Sequence, residues 1–147
     1  MAEEAGMTPI TNLVTSALLL FGGLEDGAHF VPEAVGAHWD GRVATVTFQE
    51  AGVELDADLT TISVTVTADL EAVCRRDDST ITVRRSATAL AAEDHPISED
   101  GLVEATVALP LRVTRPSTPG YTCDAPLVSV TVVLEDFWTG ATLTHQI

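Results

Sequence analysis

Side chains able to do chemistry are scattered along this sequence rather than gathered into a motif. The four histidines, His29, His38, His95 and His145, lie far apart. His29 and His38 fall within one stretch, but two such residues without a nearby Cys or a close H-x-x-x-H spacing make a poor zinc pattern. Asp56-Ala57-Asp58 opens like a calcium loop and then lacks the glycine and the terminal Glu that such a loop needs. Neither Cys sits in a catalytic signature, and there is no G-x-S-x-G elbow. Gly22-Gly23 has neither the Lys-Ser/Thr of a P-loop nor the spacing of a dinucleotide fingerprint. Twenty-two acids would allow a carboxylate pair for glycosidic chemistry, but the sequence singles out no pair. The expectation is a protein that is not an enzyme, with no catalytic residues, no cofactor and no metal site.

Two other features remain. Cys74 and Cys123 are the only thiols. Joined, they would close a loop of about 50 residues, and loop entropy then gives roughly 4 kcal/mol. Free, partly buried thiols are the alternative, and the sequence leaves both open. Arg75, Arg76, Arg84 and Arg85 are four of seven basic residues in a chain without lysine. A hairpin around Asp77-Asp78 would gather them at one end and set Glu71 opposite Arg84, a favourable cross-strand pair. One positive spot on a negative body suits head-to-tail contacts between copies. Neutralising Glu71, Asp77 and Asp78 would be its plainer use.

The charge balance narrows the partners. Twenty-two acids against seven bases give a formal net charge of −15. Such a surface repels phosphate backbones and anionic bilayers, so neither nucleic acid nor membrane is expected as a partner. The start M-A-E-E-A-G-M is acidic where a secretory signal needs a basic region. Ala17 to Phe21 is too short to span a bilayer, which takes roughly 20 residues. Synthesis in the cytoplasm is expected, with a virion or other extracellular assembly as the final location.

The elements that must position these residues are read from periodicity. Residues 1–8 form an acidic tail. Thr8-Pro9 supplies a cap and a first helical residue, and Ile10, Leu13, Val14, Ala17, Leu18 and Phe21 then recur at helical spacing up to Gly22-Gly23. A helix over 9–21 is predicted. Its other face, which includes Thr11, Asn12, Thr15 and Leu19, has no charge, and so it is a candidate partner surface beside the arginines. Residues 24–42 read as a long loop, with a short strand or turn near Ala28 to Val31.

Strand signals follow. Val43–Gln49, Thr60–Ala68, Leu70–Arg76, Ser79–Arg85, Val103–Val113, Leu127–Asp136 and Ala141–Ile147 all suit extended chain, several with strict alternation. Residues 86–101 read as a connection. Pro110 points to an edge strand or a bulge, and Val128, Val130, Val132 and Leu134 should face inward. The fold class is therefore mainly β: an antiparallel β-sandwich or barrel of about 7–8 strands with one N-terminal helix, forming a single domain over 9–147. For such a chain we expect a structural, assembly-forming subunit of a particle or filament, with a phage or archaeal virion as the setting. Its partners would be copies of itself and other proteins of the assembly. A sandwich module presenting Trp39, Tyr121 and Trp138 to carbohydrate or a cell surface is the alternative.

Overall fold

The computed structural model describes residues 27–147. The helix expected over 9–21 and its candidate surface at Thr11, Asn12, Thr15 and Leu19 lie outside the described residues.

Among the described residues nine strands form two antiparallel sheets: β1 (His29–Phe30), β2 (Gly36–Trp39), β3 (Val43–Ala51), β4 (Leu59–Arg76), β5 (Ser79–Pro96), β6 (Val103–Pro110), β7 (Thr122–Cys123), β8 (Leu127–Asp136) and β9 (Thr142–Gln146). In the first sheet β3 is central, with β6 along one edge and β1 and β2 sharing the other. The second runs β5-β4-β8-β9, with β7 extending β8's side of β4. Neither sheet closes on itself, so the architecture is sandwich-like and not a barrel.

Alternation explains the layers. On β4 every even residue from Ile62 to Cys74 is buried. On β3 Ala44, Val46 and Phe48 point the same way, as do Val130, Val132 and Leu134 on β8. These faces meet in one core, closed from β6 by Val103, Val107 and Leu109. β-branched side chains dominate that contact, and their stiff χ1 rotamers suit a pleated surface. The described part of the expected loop, residues 27–42, holds regular structure: Gly36–Trp39 pairs with Ala44–Thr47, although its glycine and histidine gave no strand signal.

The second correction is larger. Leu59–Arg76 is one unbroken strand, and its partner continues through the stretch read as a connection, as far as Pro96. The two make a hairpin of 18-residue strands closed by Asp77-Asp78, with Asp77 in left-handed geometry at φ 53°. Asp tolerates that geometry because its short side chain can bond locally. Glu71 does pair with Arg84. Val128, by contrast, is 54% exposed, because it lies beyond the end of the facing sheet.

Where the hairpin runs past the main core, a second small cluster forms from Ala72, Cys74 and Val83 with Tyr121 and Cys123. Here Cys74 on β4 and Cys123 on β7 stand directly opposite and are joined as a disulfide. The bond ties the Leu111–Gly120 crossing to the hairpin where apolar packing is thin. Replacing both residues by alanine should lower unfolding free energy by about 4 kcal/mol. Urea denaturation with and without reductant checks this: a wild-type midpoint indifferent to reductant would contradict it.

Candidate functional site

At one end of the sandwich the last residues of β3 and β8 meet the first of β4. Glu50 continues the inward parity of Phe48, and Asp136 continues that of Leu134, so both carboxyls enter the core. Both are 0% exposed, as is Thr60. Thr60 Oγ1 reaches both oxygens of Asp136, at 2.7 and 2.8 Å. Thr139 Oγ1 donates to Glu50 Oε2 at 2.8 Å. The first contact lies within the second sheet, and the bond from Thr139 to Glu50 reaches across to the first.

The two carboxyls differ in proton affinity. Burial, and then the adjoining Asp136, pushes Glu50 from 4.5 up to about 8. Burial also pushes Asp136 upward. The neighbouring Glu50 and the hydrogen bonds from Thr60 and the amides of Thr139 and Trp138 outweigh it and hold Asp136 below the ordinary aspartate value. At neutral pH Glu50 therefore keeps its proton and Asp136 its charge. With Asp136 charged beside it, a buried Glu50 is favoured in its neutral form. A proton-holding carboxyl beside a carboxylate has the makings of an acid–base pair, but neither presents surface to a substrate. Its effect is on position.

That effect is felt in the β8–β9 turn. Asp136 Oδ1 accepts the amides of Trp138 at 2.8 Å and Thr139 at 3.0 Å, and the Phe137 amide donates to Thr61 O at 2.9 Å. Gly140, at φ +81°, brings the chain back, with its amide on Asp136 O at 2.9 Å. The turn holds Phe137 and Trp138 outward, 55% and 69% exposed. Trp138 Nε1 donates to Thr61 Oγ1 at 3.2 Å, and Thr61 Oγ1 in turn donates to Asp94 at 2.6 Å. Beside the indole is a depression of about 340 Å³ whose lining includes Leu55, Asp56, Leu59 and Asp94. An amphipathic aromatic held this way offers an apolar face next to hydrogen-bonding groups. The other two aromatics singled out in the sequence are engaged internally. Trp39 Nε1 donates to Leu111 O at 2.8 Å, and Tyr121 lies under Arg76, with 4.9 Å from guanidinium carbon to ring centre.

The arginines are divided along the hairpin and not gathered at its tip. Arg75 and Arg76 flank the turn, whereas Arg84 and Arg85 lie opposite Glu71 and Leu70, further down the strands. Each has a partner within the chain: Arg75 pairs with Asp124 at 2.8 Å and Arg84 with Glu71 at 2.7 Å. Arg85 donates to Ser117 O at 3.2 Å. A depression of about 600 Å³ lies between Arg84–Arg85 and the exposed Leu127 and Val128. His95 is buried edge-on against Phe48, with ring centres 5.7 Å apart. Its Nε2 and Glu50 Oε1 have no hydrogen-bond partner among the described residues. Among those residues no three His, Cys, Asp or Glu side chains are grouped to hold a metal. No helix among them is long and apolar enough to cross a membrane.

Sequence reasoning missed Glu50 and Asp136, though a signal existed: each is an acid at the inward parity of an otherwise apolar strand. The sign of the resulting pH dependence follows from the raised value at Glu50. The folded state holds a proton that the unfolded chain releases near pH 4.5, so its stabilisation is complete below that pH and is lost as pH rises through about 8. The wild type should therefore lose up to about 1.4 kcal/mol per pH unit across this window relative to Glu50→Gln, whose amide stays neutral. Urea midpoints at pH 5, 6.5 and 8 measure it, and parallel slopes for the two proteins would refute a protonated Glu50.

Compared with known proteins, the chain matches no family model, no curated protein and no solved structure.

Proposed function

We propose that this chain is a non-enzymatic structural subunit that assembles through its second sheet, with copies of itself and other proteins of a particle or filament as partners. A virion is the setting we favour. One observation carries the reading: β5 is an 18-residue edge strand, paired only with β4 among the described residues. Its middle, Ser86 to Ala92, has no charge at all. An open edge offers a row of amides and carbonyls to another chain, and isolated proteins usually blunt such an edge with charge, proline or a bulge. The face beside it adds to this. Leu90, Leu127 and Val133 are exposed there among Thr65, Thr67, Thr88 and Thr131, an unusual apolar content for so acidic a molecule. The carboxyl pair of Glu50 and Asp136 is sealed inside, which favours support over catalysis.

Light scattering after gel filtration, from low to high salt, tests the reading. A defined oligomer or polymer is expected, and it should strengthen as salt screens the repulsion between chains of −15. A strict monomer of 15.5 kDa at every salt concentration would overturn it.

The exposure of Phe137 and Trp138 favours a second reading, a module that binds carbohydrate at the β8–β9 turn. Glycan-array binding lost on Trp138→Ala and kept on Trp39→Ala would support it. Binding indifferent to Trp138 would remove it.

A further inference from the structure

We propose that the partner on the open edge is a second copy of this chain, paired β5 to β5 in an antiparallel, two-fold symmetric register centred on Ala89. This deepens the assembly reading and rests on it. The charges along β5 carry the argument. The strand reads Arg84-Arg85, then seven uncharged residues, then Glu93-Asp94. Laid against its own copy about Ala89, Arg84 of one chain faces Asp94 of the other, and Arg85 faces Glu93. Ser86 then faces Ala92, Ala87 faces Ala91 and Thr88 faces Leu90. Symmetry repeats each contact, so both ends of the junction carry opposite charges side by side.

Backbone geometry independently allows this register. Amides and carbonyls alternate between the two edges of an antiparallel strand. The Ile97 amide donates to Asp58 O at 2.9 Å, so odd-numbered residues of this segment turn toward β4. The even-numbered ones, Arg84 through Asp94, therefore turn to the open edge. Centring on Ala89 sets even residues against even, which forms the hydrogen-bonded ladder; a slip by one residue would set them against odd and lose it. Pro96, also even, has no amide to give, and so the pairing ends where the charges end.

Side-chain faces agree. Arg84 and Asp94 lie on the outer face and Arg85 and Glu93 on the inner one, so each opposed pair shares a face. Arg84, already on Glu71 at 2.7 Å, would lie between that carboxylate and the other chain's Asp94. Leu90, 66% exposed on an edge strand, would meet its own copy diagonally across the junction. The result is one continuous sheet running through both chains.

Two charge-reversed variants test this. Arg84→Glu with Arg85→Glu, and Glu93→Arg with Asp94→Arg, each set like charges against like in their own dimers, whereas a mixture of the two sets opposites together at both ends. Each variant alone should run as a monomer and the mixture as a species of twice the 15.5 kDa chain mass. Circular dichroism melts confirm that each variant is folded. In the otherwise native chain, Ala89→Cys opposes itself in a non-hydrogen-bonded pair, where Cα separation suits a disulfide. It should cross-link to a dimer on oxidation, while Thr80→Cys, outside the paired segment, should not. If the wild type associates but the mixture gives no dimer and Ala89→Cys no cross-link, this register is wrong and the assembly reading survives. A monomeric wild type sinks both.

Discussion

The constraint on which the rest of this structure depends is the two-residue period of β4. That strand pairs along both edges for much of its length, with β5 on one side and β8 and then β7 on the other. Its even residues are apolar from Ile62 to Cys74, which determines the inner face of the whole sheet. A slip of one residue would send Val64 and Val66 to solvent and bring Thr65 and Thr67 inside. The neighbours must match that parity, and they do: Leu134, Val132 and Val130 stand opposite Val64, Val66 and Ala68.

Hydrophobic burial holds most of the sandwich, but polar contacts hold one end and a disulfide the other. At one end Thr60 fixes Asp136 within its own sheet and Thr139 reaches across to Glu50; at the other, Cys74 and Cys123 join strands whose apolar cluster is too small to hold them firmly. A buried acid alone would be costly. Here one carboxyl keeps its proton and the other receives two amides and a hydroxyl, and the turn that results is well defined. Trp138 and Phe137 are exposed because that turn is held, not because it is loose.

Much of this was legible in the sequence. The alternation at 43–49, 60–68 and 127–136 predicts strands whose inward residues are correct except Val128, and the Glu71–Arg84 register follows from the turn at Asp77-Asp78. What the sequence hid has physical causes. β5 beyond Arg85 was read as a connection because its alanines are weak strand formers; pairing with the strong β4 sequence overrides that preference. Gly36–Trp39 was hidden for the same reason, being made a strand by its neighbour. Val128 has inward parity but no strand above it among the described residues, and parity alone does not reveal where the facing layer ends. The acids at Glu50 and Asp136 broke the pattern of their strands, and that break marked the tie between the sheets.

The acidity of the chain sharpens the question of how copies could meet. A net charge of −15 keeps molecules apart at long range and gives no preferred contact at short range. Specific pairing then needs a place where negative charge is withdrawn and the remaining charges have a pattern. β5 is such a place. Its centre is neutral, it has arginines at one end and acids at the other, and the hairpin keeps its backbone extended over the whole span. Net charge and local pattern thus act on different terms: the first sets the salt needed for approach, the second sets register once the edges touch. A protein with the same net charge spread evenly along β5 would stay soluble and unpaired.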